Sequence, residues 1–277
     1  MRAKKSLGQH FLRSEKALLQ IIDAGDPNAN NLILEIGPGQ GVLTEKLLKF
    51  AGKVIAVEKD NELFKSLGER FREEIQKGKL DLIHADILEF DPNVLKFYKE
   101  LDYKLIANIP YNITGAILEK FLSADHQPKL MVLLVQKEVA ERVCGHGVST
   151  RVKESILSIS VKAYGKPRLI DTVKAGSFVP MPKVDSAIIS IEDISKGFFQ
   201  NFPTSSAQGY GGSREKEFFR LLKAGFQAKR KKLSSNLSII YPKEKVLGAF
   251  QTLNLNENVR AEDIPLETWG KLAKNLI

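Results

Sequence analysis

Four short apolar runs in the first 110 residues each end in a polar device, and that series constrains the fold more than any other feature. Leu32-Ile-Leu-Glu-Ile36 enters Gly37-Pro-Gly-Gln-Gly41, and Lys53-Val-Ile-Ala-Val57 ends at Glu58. Leu80-Asp-Leu-Ile-His-Ala85 ends at Asp86, and Tyr103-Lys-Leu-Ile-Ala107 ends at Asn108. Helical patterns separate the runs, one from Val42 to Phe50 and a charged amphipathic one over roughly 61–76. Such alternation reads as an α/β fold with a largely parallel, doubly wound Rossmann-like sheet. Parallel strands carry their C-terminal ends to one rim, where ligands bind. A fifth strand is expected at Leu130–Val135, and hairpin-like strands at 157–164 and 184–191.

Past Ile191 the character changes. Residues 201–213, Asn-Phe-Pro-Thr-Ser-Ser-Ala-Gln-Gly-Tyr-Gly-Gly-Ser, are turn-forming and read as a flexible linker. Three helical patterns follow at 214–236, 243–253 and 265–276, with Phe218, Leu222, Gly225 and Phe226 on one face and Pro265 opening the last. The expected division is an α/β domain over 1–200 with an N-terminal arm, a linker over 201–213, and a small all-helical domain over 214–277. Positive charge gathers at that end: residues 196–277 hold fourteen Lys/Arg against seven Asp/Glu, in a chain of net charge +9. A concentrated surplus of this kind suits a polyanion.

The remaining composition mostly excludes. A chain 43% hydrophobic and 27% charged is not disordered, collagenous or a coiled coil. No apolar run approaches the ~20 residues of a membrane span, and the basic N-terminus shows no secretory pattern. No membrane partner and a cytoplasmic location are expected, with a monomer as the default state. Cys144 stands alone, so it has no internal disulfide partner and is expected as an unreactive side chain in or near a helix. His10, His84, His126 and His146 lack ligand spacing, so no metal is expected.

The rim residues have a chemistry in common. Glycines at 37, 39 and 41 let backbone approach a ligand closely. Glu58, nineteen residues after Gly39, can accept from both ribose hydroxyls, and Asp86 can accept from an adenine amine. The third glycine arrives one residue early for a dinucleotide loop, and Glu35 stands two residues before it. That arrangement favours the sulfonium S-adenosylmethionine, while an NAD-dependent enzyme stays open on this evidence. The tetrad Asn108-Ile-Pro-Tyr111 narrows the choice. An adenine amine is a poor nucleophile until its lone pair leaves the ring, and an amide oxygen with a nearby carbonyl can hold its hydrogens while it pyramidalises. Pro110 keeps the backbone out of a regular ladder, and Tyr111 offers a stacking face worth roughly 1–3 kcal/mol.

Here the chain closely resembles the ribosomal RNA adenine dimethyltransferases, in the branch acting on two adjacent adenosines near the 3′ end of small-subunit rRNA. The resemblance rests on Lys5-Ser-Leu-Gly-Gln-His-Phe-Leu12, Leu34–Gly41, Val57-Glu58, Ala85-Asp86 and Asn108–Tyr111. Phe178-Val-Pro-Met-Pro-Lys-Val-Asp-Ser186 and Phe226-Gln-Ala-Lys-Arg-Lys-Lys-Leu233 extend it. Departures fall at Thr114-Gly115, at Val152–Ser155 and in the long glycine-rich stretch. The resemblance implies S-adenosylmethionine as cofactor, with His10, Leu12, Gly37, Gly39, Glu58, Asp86 and Asn108 around it. It further implies catalysis by Asn108, Pro110, Tyr111 and Phe178, with Tyr111 and Phe178 as rings on either side of a flipped adenine. His10 is expected to pack on the cofactor rather than act as a base.

The target base must leave its stack, which favours unpaired RNA. Lys229, Arg230, Lys231 and Lys232 are expected on a helix end as a phosphate-tracking surface, with Arg2, Lys4 and Lys5 as a second contact. The expected partner is small-subunit rRNA or the immature small subunit, with a role in its maturation. Three rivals remain at this stage: a methylase of large-subunit RNA, a non-catalytic RNA-binding assembly factor and, as the outside candidate, an NAD-dependent oxidoreductase.

Overall fold

The computed structural model describes residues 8–98, 102–145, 153–200, 202 and 213–277. The chain falls into two compact units, one running to Cys144 and resuming over Gly165–Ile194, the other built from Gly145–Tyr164 and Ser195–Ile277. These units differ from the expected contiguous division at 200 and 213 in that the described residues 153–164 go with the C-terminal helices. The arm of residues 2–5 and most of the expected linker lie outside the described residues.

In chain order the elements are β1 (Phe11–Leu12), α1 (Glu15–Gly25), β2 (Asn31–Ile36), α2 (Val42–Phe50), β3 (Lys53–Glu58), α3 (Asn61–Arg70), α4 (Arg72–Gln76), β4 (Leu80–His84), β5 (Asp102–Asn108), α5 (Thr114–Ser123), β6 (Leu130–Gln136) and α6 (Lys137–Cys144). Then come α7 (Ile156–Tyr164), β7 (Lys166–Val173), β8 (Phe178–Val179), β9 (Ser186–Glu192), α8 (Gly197–Gln200), α9 (Arg214–Gly225), α10 (Leu233–Leu237), α11 (Lys243–Thr252) and α12 (Leu266–Leu276).

The first unit is a seven-stranded sheet of order β4-β3-β2-β5-β6-β9-β7. Its first five strands are parallel, and β9 runs antiparallel between β6 and β7. Every residue of β2 is buried, as a central strand covered on both faces requires. On one face Leu18, Ile21, Leu43, Leu47, Leu67 and Phe71 pack with Ile33, Val54, Ile106 and Val132. Alternation along the strands sends Leu32, Leu34, Leu105 and Leu133 to the opposite face. All four are fully buried.

Register decides where the site falls. Ile36 pairs with Val57, Glu58 with His84, Leu34 with Leu105 and Asn108 with Leu134. The ladder continues past β2 and β4 through Gly37 N to Val57 O (2.9 Å) and Ala85 N to Glu58 O (3.1 Å). Gly37, Glu58, Asp86 and Asn108 therefore emerge on one rim. The chain order reverses between β2 and β5, the point at which an open α/β sheet leaves a crevice.

Three expected elements come out differently. Residues 157–164, expected as a strand, form the helix α7. The alternation Ile156-Leu-Ser-Ile-Ser-Val161 imitates a strand, but Ser155 and Ser158 cap a helix start reciprocally. Ser158 N donates to Ser155 Oγ (3.1 Å), and Ser155 N donates to Ser158 Oγ (2.7 Å). The strand that pairs with β9 is instead β7. The pattern over 61–76 divides at Phe71 into α3 and α4. The helix expected over 214–236 breaks after Gly225, where Asn236 Nδ2 donates to Gly225 O (2.6 Å) and Ala228 O (3.1 Å). Those carbonyls turn toward a buried amide in place of the next helical turn.

The second unit is all-helical. Phe198, Phe199, Phe202 and Phe218 pack edge to face or stacked around its core, and Trp269 is fully buried with Phe226 stacked on it at 5.6 Å. Among the described residues no helix is long and apolar enough to cross a membrane.

Gly41 begins α2 at φ +79°, and a Cβ there would lie 2.6 Å from the Phe71 ring. Gly41→Ala is expected to cost about 1–3 kcal/mol from combined strain and overpacking. A urea midpoint shifted at unchanged slope checks this.

Candidate active site

The rim opens into a cavity of about 200 Å³, walled by residues between Gly8 and Ile113. His10, Leu12, Gly37, Gly39, Glu58, Asp86, Asn108, Pro110 and Tyr111 all line it, from four separate strand ends and the N-terminal segment.

Glu58 is the hub. It closes β3 at 5% exposure, with Oε2 accepting from Gly39 N (3.1 Å) and Oε1 accepting from Asp60 N (2.8 Å). Burial raises its carboxyl above the ordinary range, and the Asp60 and Gly39 amides oppose the rise. Capping of α3 falls to Asp60, whose Oδ1 accepts from Glu62 N (2.9 Å) and Leu63 N (3.3 Å). Glu58 is thus released from the helix-capping role open to a carboxylate at a strand end. Each of its oxygens keeps a lone pair for a ligand.

Asp86 follows β4. Lys59 Nζ donates to its Oδ2 (2.7 Å) and Leu88 N to its Oδ1 (2.9 Å). Lys59 first, then the Leu88 amide, hold this carboxyl below the usual range. Glu35, on β2, is 1% exposed and lines the same cavity, with Oε2 buried and unpartnered. Burial pushes its carboxyl up to about 8, Glu58 adding to the rise and Thr44 opposing it.

Asn108 closes β5. Its Nδ2 donates to the His10 carbonyl (3.3 Å), and among the described residues no donor reaches its Oδ1. Pro110, at φ −60°, leads into a short 3₁₀ turn over Tyr111–Ile113. Thr114 Oγ1 donates to Tyr111 O (3.1 Å), and the His10 ring stacks on Tyr111 at 5.7 Å and 18°. His10 Nδ1 lies 2.7 Å from Pro180 O. A carbonyl only accepts, so Nδ1 carries the hydrogen.

Gly8 to Leu12 form a strap across this wall. Gln9 Nε2 donates to Asp60 Oδ2 (3.1 Å), and Phe11-Leu12 pair with Val179-Phe178. A Cβ on Gly39 (φ +62°) would meet the Phe11 ring at 3.2 Å, so glycine is needed there for both conformation and room.

Two sets of expected site residues stand apart from the cavity wall. Phe178 is 2% exposed and packs in the core beside Leu12. It does not line the cavity, but it pairs with Leu12 of β1, which does. Lys229–Lys232 are exposed, in the turn between α9 and α10 of the second unit, with Lys232 as the N-cap residue of α10. Cys144 is buried at the end of α6.

Sequence reasoning assigned no role to Gln9, Asp60 or Ser186. Gln9 and Ser186 lie within motifs that carry the resemblance, and Asp60 is an acidic residue just before an amphipathic run.

An open α/β sheet with a nucleoside-shaped rim defines a Rossmann-like methyltransferase fold. Two solved structures share it: a dimethyladenosine transferase from Plasmodium falciparum (26% identity, TM-score 0.74, 95% of this chain and 96% of that one) and the 23S rRNA methyltransferase ErmE (24%, 0.72, 96% and 99%). The family model for ribosomal RNA adenine dimethylase matches residues 1–277. Ribosomal RNA small subunit methyltransferase A of Dehalococcoides mccartyi is 39% identical over 98% of this chain and 88% of its own length. The Nostoc sp. protein of the same name is 38% identical over 100% and 98%. The chain belongs to the ribosomal RNA adenine dimethylase family.

Glu35 gives a pH prediction. Its folded-state value, raised from 4.5 to about 8, means the folded protein holds the proton more tightly. The stability from this group is complete below about pH 4.5 and lost as pH rises through about 8. Glu35→Gln is expected to match the unsubstituted protein near pH 5 and to exceed it above pH 8, by on the order of a few kcal/mol. Melting temperatures of both across that range check the sign.

Proposed function

We propose that this chain transfers methyl groups from S-adenosylmethionine to the exocyclic amines of two adjacent adenosines near the 3′ end of small-subunit rRNA, two to each. The observation that carries the reading is the meeting of Gly37, Gly39, Glu58, Asp86, Asn108 and Tyr111 around one cavity. The curated relatives named for small-subunit methylation support the choice of RNA.

The residues present suit the cofactor. Glu58 has lone pairs for two ribose hydroxyls. Asp86 has one for an adenine amine, with Lys59 already fixing its orientation. Gly37 and Gly39 leave backbone bare beside the methionine portion. Glu35 offers a buried oxygen without a partner to a cationic group, whose charge would favour loss of the carboxyl proton. When bound, S-adenosylmethionine supplies an electrophilic methyl on a sulfonium.

This chain's residues do the rest. Asn108 Oδ1 accepts one hydrogen of the target amine, and a carbonyl at the Asn108–Pro110 bend accepts the other. The amine nitrogen then becomes pyramidal with its lone pair out of the ring. Tyr111 holds the base by stacking. After transfer the nitrogen is a strongly acidic cation, and its proton leaves to water without a dedicated base. Catalysis is positioning and preorganised polarity. Phe178 acts from behind, through Leu12 and the strap. His10, with its hydrogen committed to Pro180, packs the wall.

The second unit is proposed to track phosphates through Lys229–Lys232, whose exposed cations stand at successive positions in a turn. A monomer acting in the cytoplasm on immature small subunits, and contributing to their maturation, completes the proposal.

Tritiated cofactor with immature small-subunit particles tests it. Label is expected on two adjacent adenosines, located by mass spectrometry. Unlabelled small-subunit RNA, or label confined to large-subunit RNA, overturns the reading. Asn108→Ala is expected to lower transfer by about a hundredfold or more. Calorimetry should find its cofactor affinity retained, because Glu58 and Asp86 are untouched. Replacing Lys229–Lys232 by Gln is expected to weaken RNA binding and flatten the log–log salt slope by up to about 3 to 4. An unchanged slope removes the turn from the interface.

A further inference from the structure

Ser186 opens β9 with no exposed surface. Buried hydroxyls find partners as a rule, so the informative point is which partner this one has. Its Oγ lies 2.6 Å from the Tyr111 hydroxyl, 75 residues away in sequence, and the two share a hydrogen bond. Tyr111 is held elsewhere by Thr114 at its carbonyl and by the His10 ring on one face. The first contact fixes backbone and the second lets the ring slide. Only the bond at the phenol end fixes the tilt of the ring.

The anchor itself is rigid. Ser186 pairs with Gln136 on one side and Val173 on the other. The preceding Asp185 is tied by Lys174 Nζ (2.9 Å), by Ala175 N (2.9 Å) and, at its carbonyl, by Lys137 N (3.0 Å). A strand that lies antiparallel in the sheet thus reaches the tetrad at the end of β5 through one hydroxyl.

We propose that Ser186 is a positioning residue for methyl transfer: its buried hydroxyl sets the tilt of the Tyr111 ring and so the plane in which the target adenine is held. This rests on the proposed role of Tyr111 as the stacking ring. Alanine at 186 keeps the strand and loses the anchor, while phenylalanine at 111 removes the same bond from the other end and keeps the ring.

The test compares the full-length protein with Ser186→Ala, Tyr111→Phe and the double variant on immature small-subunit particles. Each single change is expected to lower kcat/KM roughly 3- to 10-fold, the worth of one neutral hydrogen bond. Cofactor affinity should be unchanged by calorimetry, and the double variant no slower than the slower single. With 2-aminopurine at the target position of a substrate RNA, the stacking quench on binding is expected to weaken in both singles. Tyr111→Phe or Ser186→Ala at the unsubstituted rate overturns the proposal, as do losses that multiply in the double variant. Because Tyr111→Phe changes a less buried position, it decides the matter even if Ser186→Ala folds poorly. Failure of the unsubstituted protein to methylate would sink the reading of the site; an active protein indifferent to both changes would sink only the role of Ser186.

Discussion

Glu58 joins two strand ends with one side chain. Its oxygens take the Gly39 and Asp60 amides, so the glycine loop after β2 and the start of α3 are fixed with respect to each other by a carboxylate that is almost wholly out of water. Removing such a group would leave the buried Asp60 amide and the part-buried Gly39 amide without their acceptor, a cost comparable to losing the bonds themselves. The loop conformation depends on it in turn. Gly37, Gly39 and Gly41 all stand at positive φ, a state that needs an external hold to persist as one structure. The cradle is therefore preorganised by the residue that also offers lone pairs to a ligand, and binding need not order the loop first.

The opposite wall is assembled from parts distant in sequence. Asn108 and Tyr111 come from the end of β5, the strap from residues 8–12, and the support for both from the 174–186 segment. His10 is the joint. Its carbonyl accepts from Asn108, its ring lies on Tyr111, and its Nδ1 donates to Pro180. With Nδ2 committed to that carbonyl, the Asn108 amide has one orientation, and its oxygen is the free end. A weak side-chain acceptor becomes useful in catalysis when it cannot rotate away, since no reorganisation is then needed as charge develops.

The rim was legible because polar residues following apolar runs are few, and parallel topology leaves them only one place to gather. Gly37, Glu58, Asp86 and Asn108 could be placed together from spacing alone. Three features were not legible. The Ser155/Ser158 cap was hidden by a Leu157-Ser-Ile-Ser160 alternation that fits either periodicity, so α7 read as a strand. The break after Gly225 depends on Asn236, eleven residues on, whose amide takes two carbonyls. Phe178 reads as a ring for the base because its motif resembles one; its burial accompanies the β1–β8 pair, two residues long and 166 positions apart at Leu12 and Phe178, which no local pattern announces.

Charge explains why this cavity suits a cation. Glu35 and Glu58 are both raised by burial, and Glu58 adds to the rise at Glu35. A positive ligand alters that balance locally, favouring an ionised Glu35 and gaining a Coulombic contact in a low-dielectric setting. Two carboxyls lining one cavity, one of them with a buried oxygen that no donor among the described residues reaches, thus match a cationic ligand without a moving part.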